Sequence, residues 1–138
     1  MDDHLRYLLD TNVISETSRP RPNLRVAEFI SANSDSLHVS VLTLGEMRRG
    51  LEKSLRTNSE QSSFLQTWIE QVESRFRDRI IPIDTEVANR WGQITADRSR
   101  PVVDTLIAAT ALVHGMTLVT RNVSDVAGTG VTVLNPWN

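Results

Sequence analysis

The chain has 138 residues, 39% of them hydrophobic, with a formal net charge of -2 and no cysteine. That length suits one domain with its own core. The lack of cysteine excludes disulfides, thiolate metal sites and cysteine nucleophiles, and the near-neutral charge excludes a broadly basic nucleic-acid coat while leaving room for a local positive patch.

Leu5 to Leu9 is an apolar run of strand length that stops at Asp10 and leads into the small polar pair Thr11 and Asn12. A carboxylate there has two readings: it lies on the rim of a parallel sheet, where ligands bind, or it caps a following helix. Glu16 to Asn23 contains Arg19, Pro20, Arg21 and Pro22 and reads as a bent surface loop. A short helix is expected from Leu24 to Ala32, and the alternation of Leu37, Val39 and Val41 predicts a strand from Leu37 to Leu42. From about Leu44 the spacing of Leu44, Met47, Leu51 and Leu55 predicts a helix with Glu46 in its first turn.

A further helical period runs from Ser59 to Arg79, with Phe64, Leu65, Trp68, Ile69, Val72 and Phe76 on its apolar stripe. Ile80 to Ile83 is a β-branched run. Thr85 to Arg98 reads as a helix capped by Asp84 or Thr85, and Ser99 to Pro101 breaks it. Helix resumes from Val102 to His114, with Asp104 in its first turn and Gly115 at its stop. Met116 to Thr120 is the next strand, Arg121 to Asp125 a polar loop, and Gly128 to Gly130 a turn into a last strand at Val131 to Leu134.

Strands and helices thus alternate along the chain. This order predicts an α/β fold of three layers, αβα, with a mainly parallel central sheet, in a single domain spanning residues 1–138. The longest apolar stretch, Leu106 to Val113, is too short to cross a bilayer, and Asp2 and Asp3 stand where a leader would be positive, so a cytoplasmic location is expected.

In such a fold the helix N-termini share an edge with the carboxyl ends of the strands. Asp10, Glu46, Asp104 and Asp125 all fall on that edge. Each acid has an ordinary explanation: Thr43 and Glu46 form a T-x-x-E capping box, Asp104 complements a helix dipole, and Asp125 caps a turn. Their convergence is harder to explain by stability, because unit charges about 5 Å apart repel by roughly 3 kcal/mol at an effective dielectric near 20. An all-oxygen cluster without cysteine favours Mg²⁺ or Mn²⁺, and the chemistry that fits is metal-assisted phosphodiester hydrolysis.

Four segments carry a family resemblance: YLLDTNVISE from Tyr7, SVLTLGEMRRG from Ser40, VVDTLIAATALVHG from Val102 and LVTRNVSDVAGTGV from Leu118. In order and spacing the chain resembles the PIN-domain ribonucleases of the VapC toxin class, and most their FitB-like branch. The resemblance places the family's acidic metal site on Asp10, Glu46, Asp104 and Asp125, with Asn12, Thr43, Thr120 and Asn122 as supporting polar positions. Val126 departs from the family's usual Phe, which touches local packing. The resemblance further implies a Mg²⁺-dependent endoribonuclease acting as the toxin of a toxin-antitoxin pair. It also implies a homodimer, inhibition by a small antitoxin, and contact with operator DNA only through the antitoxin complex.

An RNA substrate needs counter-charge beside these acids, for which Arg19, Arg21, Arg48, Arg49 and Arg121 are candidates. Trp68 and Trp91 fall on helical stripes and read as core rather than as base-stacking platforms, whereas Trp137 is placed to pack an edge or a partner. His4, His38 and His114 lack ligand spacing. A receiver domain would want a lysine beyond the last strands, and the single lysine is Lys53; a haloacid-dehalogenase-type phosphatase would want an acid where Asn12 stands. The stronger alternative is a catalytically silent PIN-fold module that binds RNA or a protein partner.

Overall fold

Short apolar runs that are buried on both faces make the centre of the molecule. A computed structural model describes residues 5–57 and 60–138. The readings of Asp2, Asp3 and His4, and of a helix start at Ser59, lie outside the described residues. In chain order the elements are β1 (Tyr7–Leu9), α1 (Thr11–Glu16), α2 (Leu24–Ala32), β2 (Leu37–Ser40), α3 (Val41–Arg56) and α4 (Ser62–Arg75). There follow β3 (Ile80–Ile81), α5 (Thr85–Ile94), α6 (Val102–His114), β4 (Thr117–Val119) and β5 (Val133–Leu134). The strands form one sheet in the order β3-β2-β1-β4-β5, and every neighbouring pair is parallel. The expected mainly parallel sheet is therefore parallel throughout, and its order differs from the 2-1-3-4-5 of receiver domains.

Alternation along the strands sorts the core into two halves. Tyr7, Leu9, Leu37, Val39 and Val119 point to one face, where Val13, Ile14, Val26, Ile30, Met47, Leu51, Trp68, Ile69, Val72 and Phe76 cover them from α1 to α4 and its cap. Leu8 and Leu118 point to the other, against Ile107, Ala108 and Ala111 of α6 and Met116 and Val126. Each fully buried Leu or Ile contributes roughly 2 kcal/mol. Because both faces are covered, the strands read as continuous apolar runs. The buried Val126 fills the second half-core where the family's Phe was expected.

Several boundaries differ from the periodicity. The strand expected to reach Leu42 ends at Ser40, whose hydroxyl accepts the Leu42 N–H at 3.0 Å and starts α3 at Val41 rather than Leu44. Glu46 consequently lies in the second turn, and the Thr43–Glu46 capping box does not form. Thr11 to Glu16 is helical, capped by Asp10, although no periodicity announced it. The helix expected to end at Arg79 stops at Arg75, and a 3₁₀ turn spans Arg77–Arg79. The helix expected to reach Arg98 ends at Ile94, with Asp84 as its cap, its carboxylate accepting the Val87 N–H at 3.0 Å. The strand runs at residues 80–83, 116–120 and 131–134 shorten to β3, β4 and β5, and the loop before Asp125 closes as a 3₁₀ turn at Val123–Val126.

Leu55 and Phe64, both placed on apolar stripes, are exposed, because burial in α3 ends at Leu51 and in α4 begins at Trp68. No helix among the described residues is long and apolar enough to cross a membrane.

Gly115 ends α6 in the left-handed region at φ 65°, and its N–H and that of Met116 close the helix on Leu112 and Ala111. A side chain is strained there. Gly115→Ala is expected to destabilise the fold by about 1 kcal/mol in urea unfolding; an equal midpoint would show that the turn carries no such strain.

Candidate functional site

β1 and β4 are neighbours, yet the sheet grows from β1 toward β2 and from β4 toward β5. Where strand order diverges in this way, a crevice opens at the carboxyl ends. Asp10 and Thr120 are the first residues beyond those two strands.

Asp10 is 4% exposed, and its backbone N–H still continues the sheet, reaching the Val119 carbonyl at 2.9 Å. Its Oδ1 accepts the Thr11 N–H at 2.8 Å, while Oδ2 accepts the Thr120 hydroxyl at 2.7 Å and the Asn12 amide at 3.3 Å. The cap reading and the rim reading of Asp10 are therefore both true. Burial pushes its carboxyl above the ordinary range, the bonds from Thr120 and Thr11 oppose that rise, and the charges of Glu46 and Asp125 add to it.

Around this acid the polar positions interlock. The Thr120 hydroxyl accepts the Asn122 N–H at 3.0 Å and the Asn12 amide at 3.3 Å, and Asn12 Oδ1 accepts the Arg121 N–H at 3.3 Å. Buried Thr43 reaches the Thr11 hydroxyl at 3.2 Å, and that same hydroxyl donates to the Glu46 carboxylate. Thr11 is thus the bridge between the Asp10 side and the Glu46 side. Sequence reasoning noted Thr11 beside Asp10 but did not single it out, since its partners lie on another element.

Asp104, in the first turn of α6, completes the cluster together with Asp125 from the 3₁₀ turn. The Asp104 carboxyl is pushed up to about 6, first by burial, then by the charges of Asp10, Asp125 and Glu46, and by a hydrogen bond shared with Asp125. The structure therefore brings all four acids within electrostatic reach of one another. Among the described residues no three acids or histidines are already arranged to hold one ion. Asp10 and Glu46 spend oxygens on Thr11, Asn12 and Thr120. The set nevertheless fits a hard divalent cation: every donor is an oxygen, the acids repel one another, and Mg²⁺ keeps several waters while taking only one or two carboxylates directly.

The arginines divide. Arg121 stacks on Trp137 with its guanidinium carbon 4.8 Å from the ring centre, beside the Asn12 contact of its own backbone. Arg19 pairs with buried Glu16 at 3.4 Å, so its charge is committed locally. Arg21, Arg48 and Arg49 are exposed. Trp68 is buried in the core and donates its indole N–H to Thr17 at 3.0 Å, whereas Trp91, expected as core, is only half-buried and donates its indole N–H to Thr105, the residue after Asp104, at 2.9 Å. His38 lies in the middle of β2 and His114 at the far end of α6, both away from the rim.

A family model described as PIN domain matches residues 7–124. The chain is 37% identical to Toxin FitB of Neisseria gonorrhoeae over 95% of its own length and 98% of that protein. It is 31% identical to VapC ribonuclease Y4jK of Sinorhizobium fredii over 94% of its length and 96% of that protein. A solved structure of FitAB bound to an IR36 DNA fragment superposes with a TM-score of 0.84 at 37% identity, covering 96% of each chain.

The raised Asp104 has a consequence for stability. Between its ordinary value of 3.8 and about 6 the folded chain holds a proton that the unfolded chain releases, so stability falls as pH rises through that window. Asp104→Asn removes the repulsion and is expected to raise the metal-free melting temperature at about pH 7.5 by roughly 3–5 °C, on the order of 1 kcal/mol after allowing for solvent screening at a partly exposed group. The gain should vanish near pH 4; a variant no more stable than wild type at neutral pH would show that the four charges do not repel.

Proposed function

The chain belongs to the PIN-domain family, and from that premise we propose that it is a metal-dependent endoribonuclease, the toxin of a type II toxin-antitoxin pair. The single observation that carries this reading is the crevice between β1 and β4, where buried Asp10 faces Glu46, Asp104 and Asp125 and the Asp104 carboxyl is held near 6. Asp10, Glu46, Asp104 and Asp125 would hold Mg²⁺ or Mn²⁺. A bound divalent ion supplies a water of lowered pKa and neutralises charge at the phosphorus.

The chain's own residues do the rest. Thr120, Asn12 and the Thr11 N–H fix the orientation of Asp10, Thr11 and Thr43 fix that of Glu46, and the rigid first turn of α6 presents Asp104. Asp104 and Asp125 share a hydrogen bond, and a divalent cation held there would favour the deprotonated form of both carboxyls. Arg121, Arg48, Arg49, Arg21 and Arg19 supply positive charge for RNA around the rim, Arg121 being the best placed and Arg19 the most committed elsewhere.

The likeness to Toxin FitB, and to FitAB bound to a DNA fragment, supports an antitoxin partner and a complex that binds DNA; a small antitoxin, a homodimeric toxin and operator contact through the complex alone complete the proposal. A cytoplasmic location and a single catalytic domain over residues 1–138 belong to the same reading. The competing reading, a silent PIN module that binds RNA or protein, is favoured by one observation: among the described residues no three acids or histidines are grouped closely enough to hold one ion.

Turnover separates them. Purified chain with Mg²⁺ or Mn²⁺ is expected to cleave a mixed RNA pool, and Asp10→Asn and Asp104→Asn to lower the rate at least about a hundredfold each. Equal cleavage by all three proteins, surviving chelation, would remove the catalytic reading in favour of the binding module.

A further inference from the structure

A hollow of about 180 Å³ lies beside the acids, lined by Arg98, Ser99, Arg100, Pro101, Ser124 and Asp125. We propose that it is a subsite for a backbone phosphodiester of the RNA, next to the phosphate engaged at the carboxylates; the assignment rests on the nuclease reading above. None of the arginines singled out in the sequence lines it.

Its wall is built rather than incidental. The Arg100 side chain is 3% exposed, a costly place for a guanidinium unless it is paired. Its Nη2 reaches Asp97 Oδ2 at 3.0 Å, and its Nη1 donates to the Ala127 carbonyl at 2.8 Å. Arg100 thereby ties the segment entering α6, which carries Asp104, to the turn leaving Asp125. Gly128, beside this tie, adopts φ 82°, a backbone conformation that favours glycine.

At the mouth the polar groups are uncommitted. Arg98 is exposed, makes a 3.4 Å contact to the Ala127 carbonyl, and forms no ion pair within 4 Å among the described residues, though its charge is felt at the neighbouring Asp97 carboxylate. Ser99 and Ser124 border the hollow with hydroxyls that bond to no described residue. Pro101 caps α6 without a side-chain acceptor, so the first N–H groups of a 13-residue helix open on the same side. Asp125 forms the opposing wall, and its charge disfavours a free dianionic phosphate. A diester carries one negative charge and is held by the strand on either side, which is the form of phosphate that suits a hollow with an acid on one wall and arginine on the other.

The test uses single-stranded RNA binding, followed by fluorescence anisotropy across a salt series, in an Asp10→Asn background that blocks cleavage. Arg98→Gln is expected to weaken binding several-fold, equally for unrelated RNA sequences, and to make the slope of log affinity against log salt shallower by about 0.7. Arg56→Gln, in the last turn of α3, changes net charge equally and should leave the slope unaltered. Both sites are exposed, so both variants should keep the parent melting temperature. An unchanged slope in Arg98→Gln, or the same loss in Arg56→Gln, overturns the subsite while the nuclease reading still stands on cleavage by wild type. A chain that binds no RNA at all overturns both.

Discussion

The 2.7 Å hydrogen bond from the Thr120 hydroxyl to Asp10 Oδ2 is the contact on which the architecture turns. It joins the ends of β1 and β4, two strands that are neighbours in space and about 110 residues apart in the chain. Everything between them, from α1 through α6, is crossover that brings the chain back to the same rim. A carboxylate that is 4% exposed would be untenable alone. Here donors reach both of its oxygens, and the Thr120 hydroxyl among them is in place only if β4 is inserted beside β1. Fold and site are in this sense one commitment.

That commitment sets stability against chemistry. Both halves of the core are tightly buried, with Leu8, Leu9, Leu37, Val39, Ile107 and Val119 fully excluded from water. Their burial offsets an acid cluster that opposes folding above the pH at which Asp104 loses its proton. A protein selected for stability alone would not place Asp104 in the same crevice as Asp10. The local helix dipole of α6 eases the arrangement, since the first turn welcomes negative charge, but burial and three neighbouring acids outweigh it, and the Asp104 carboxyl stays high.

Much of this was legible where local signals agreed with their surroundings. Asp10 is marked by the break from an apolar run to polar residues, α6 by its stripe and by Gly115, and α5 by Asp84. The misses arise where a local cap, a short helix or a partner far along the chain overrides periodicity. Val41 continues the alternation of Leu37 and Val39, yet Ser40 turns the backbone into a helix, so Glu46 drops to the second turn and Thr43 becomes an interior residue bonded to Thr11, 32 positions away. Helix α1 has six residues, too few for periodicity to register. Arg100 sits in a polar stretch that reads as a breaker, and only the turn after Asp125 explains its burial.

The outer strands, β3 and β5, are two residues long each. A free edge of that length presents barely one repeat of unpaired backbone groups, too little to template another strand. A fully parallel sheet of five strands is thus protected from edge-to-edge growth without charged gatekeepers or prolines in the edge strands themselves. Short edges disfavour continuation of the sheet as a mode of assembly and leave the helical faces and loops as the larger surfaces for a partner.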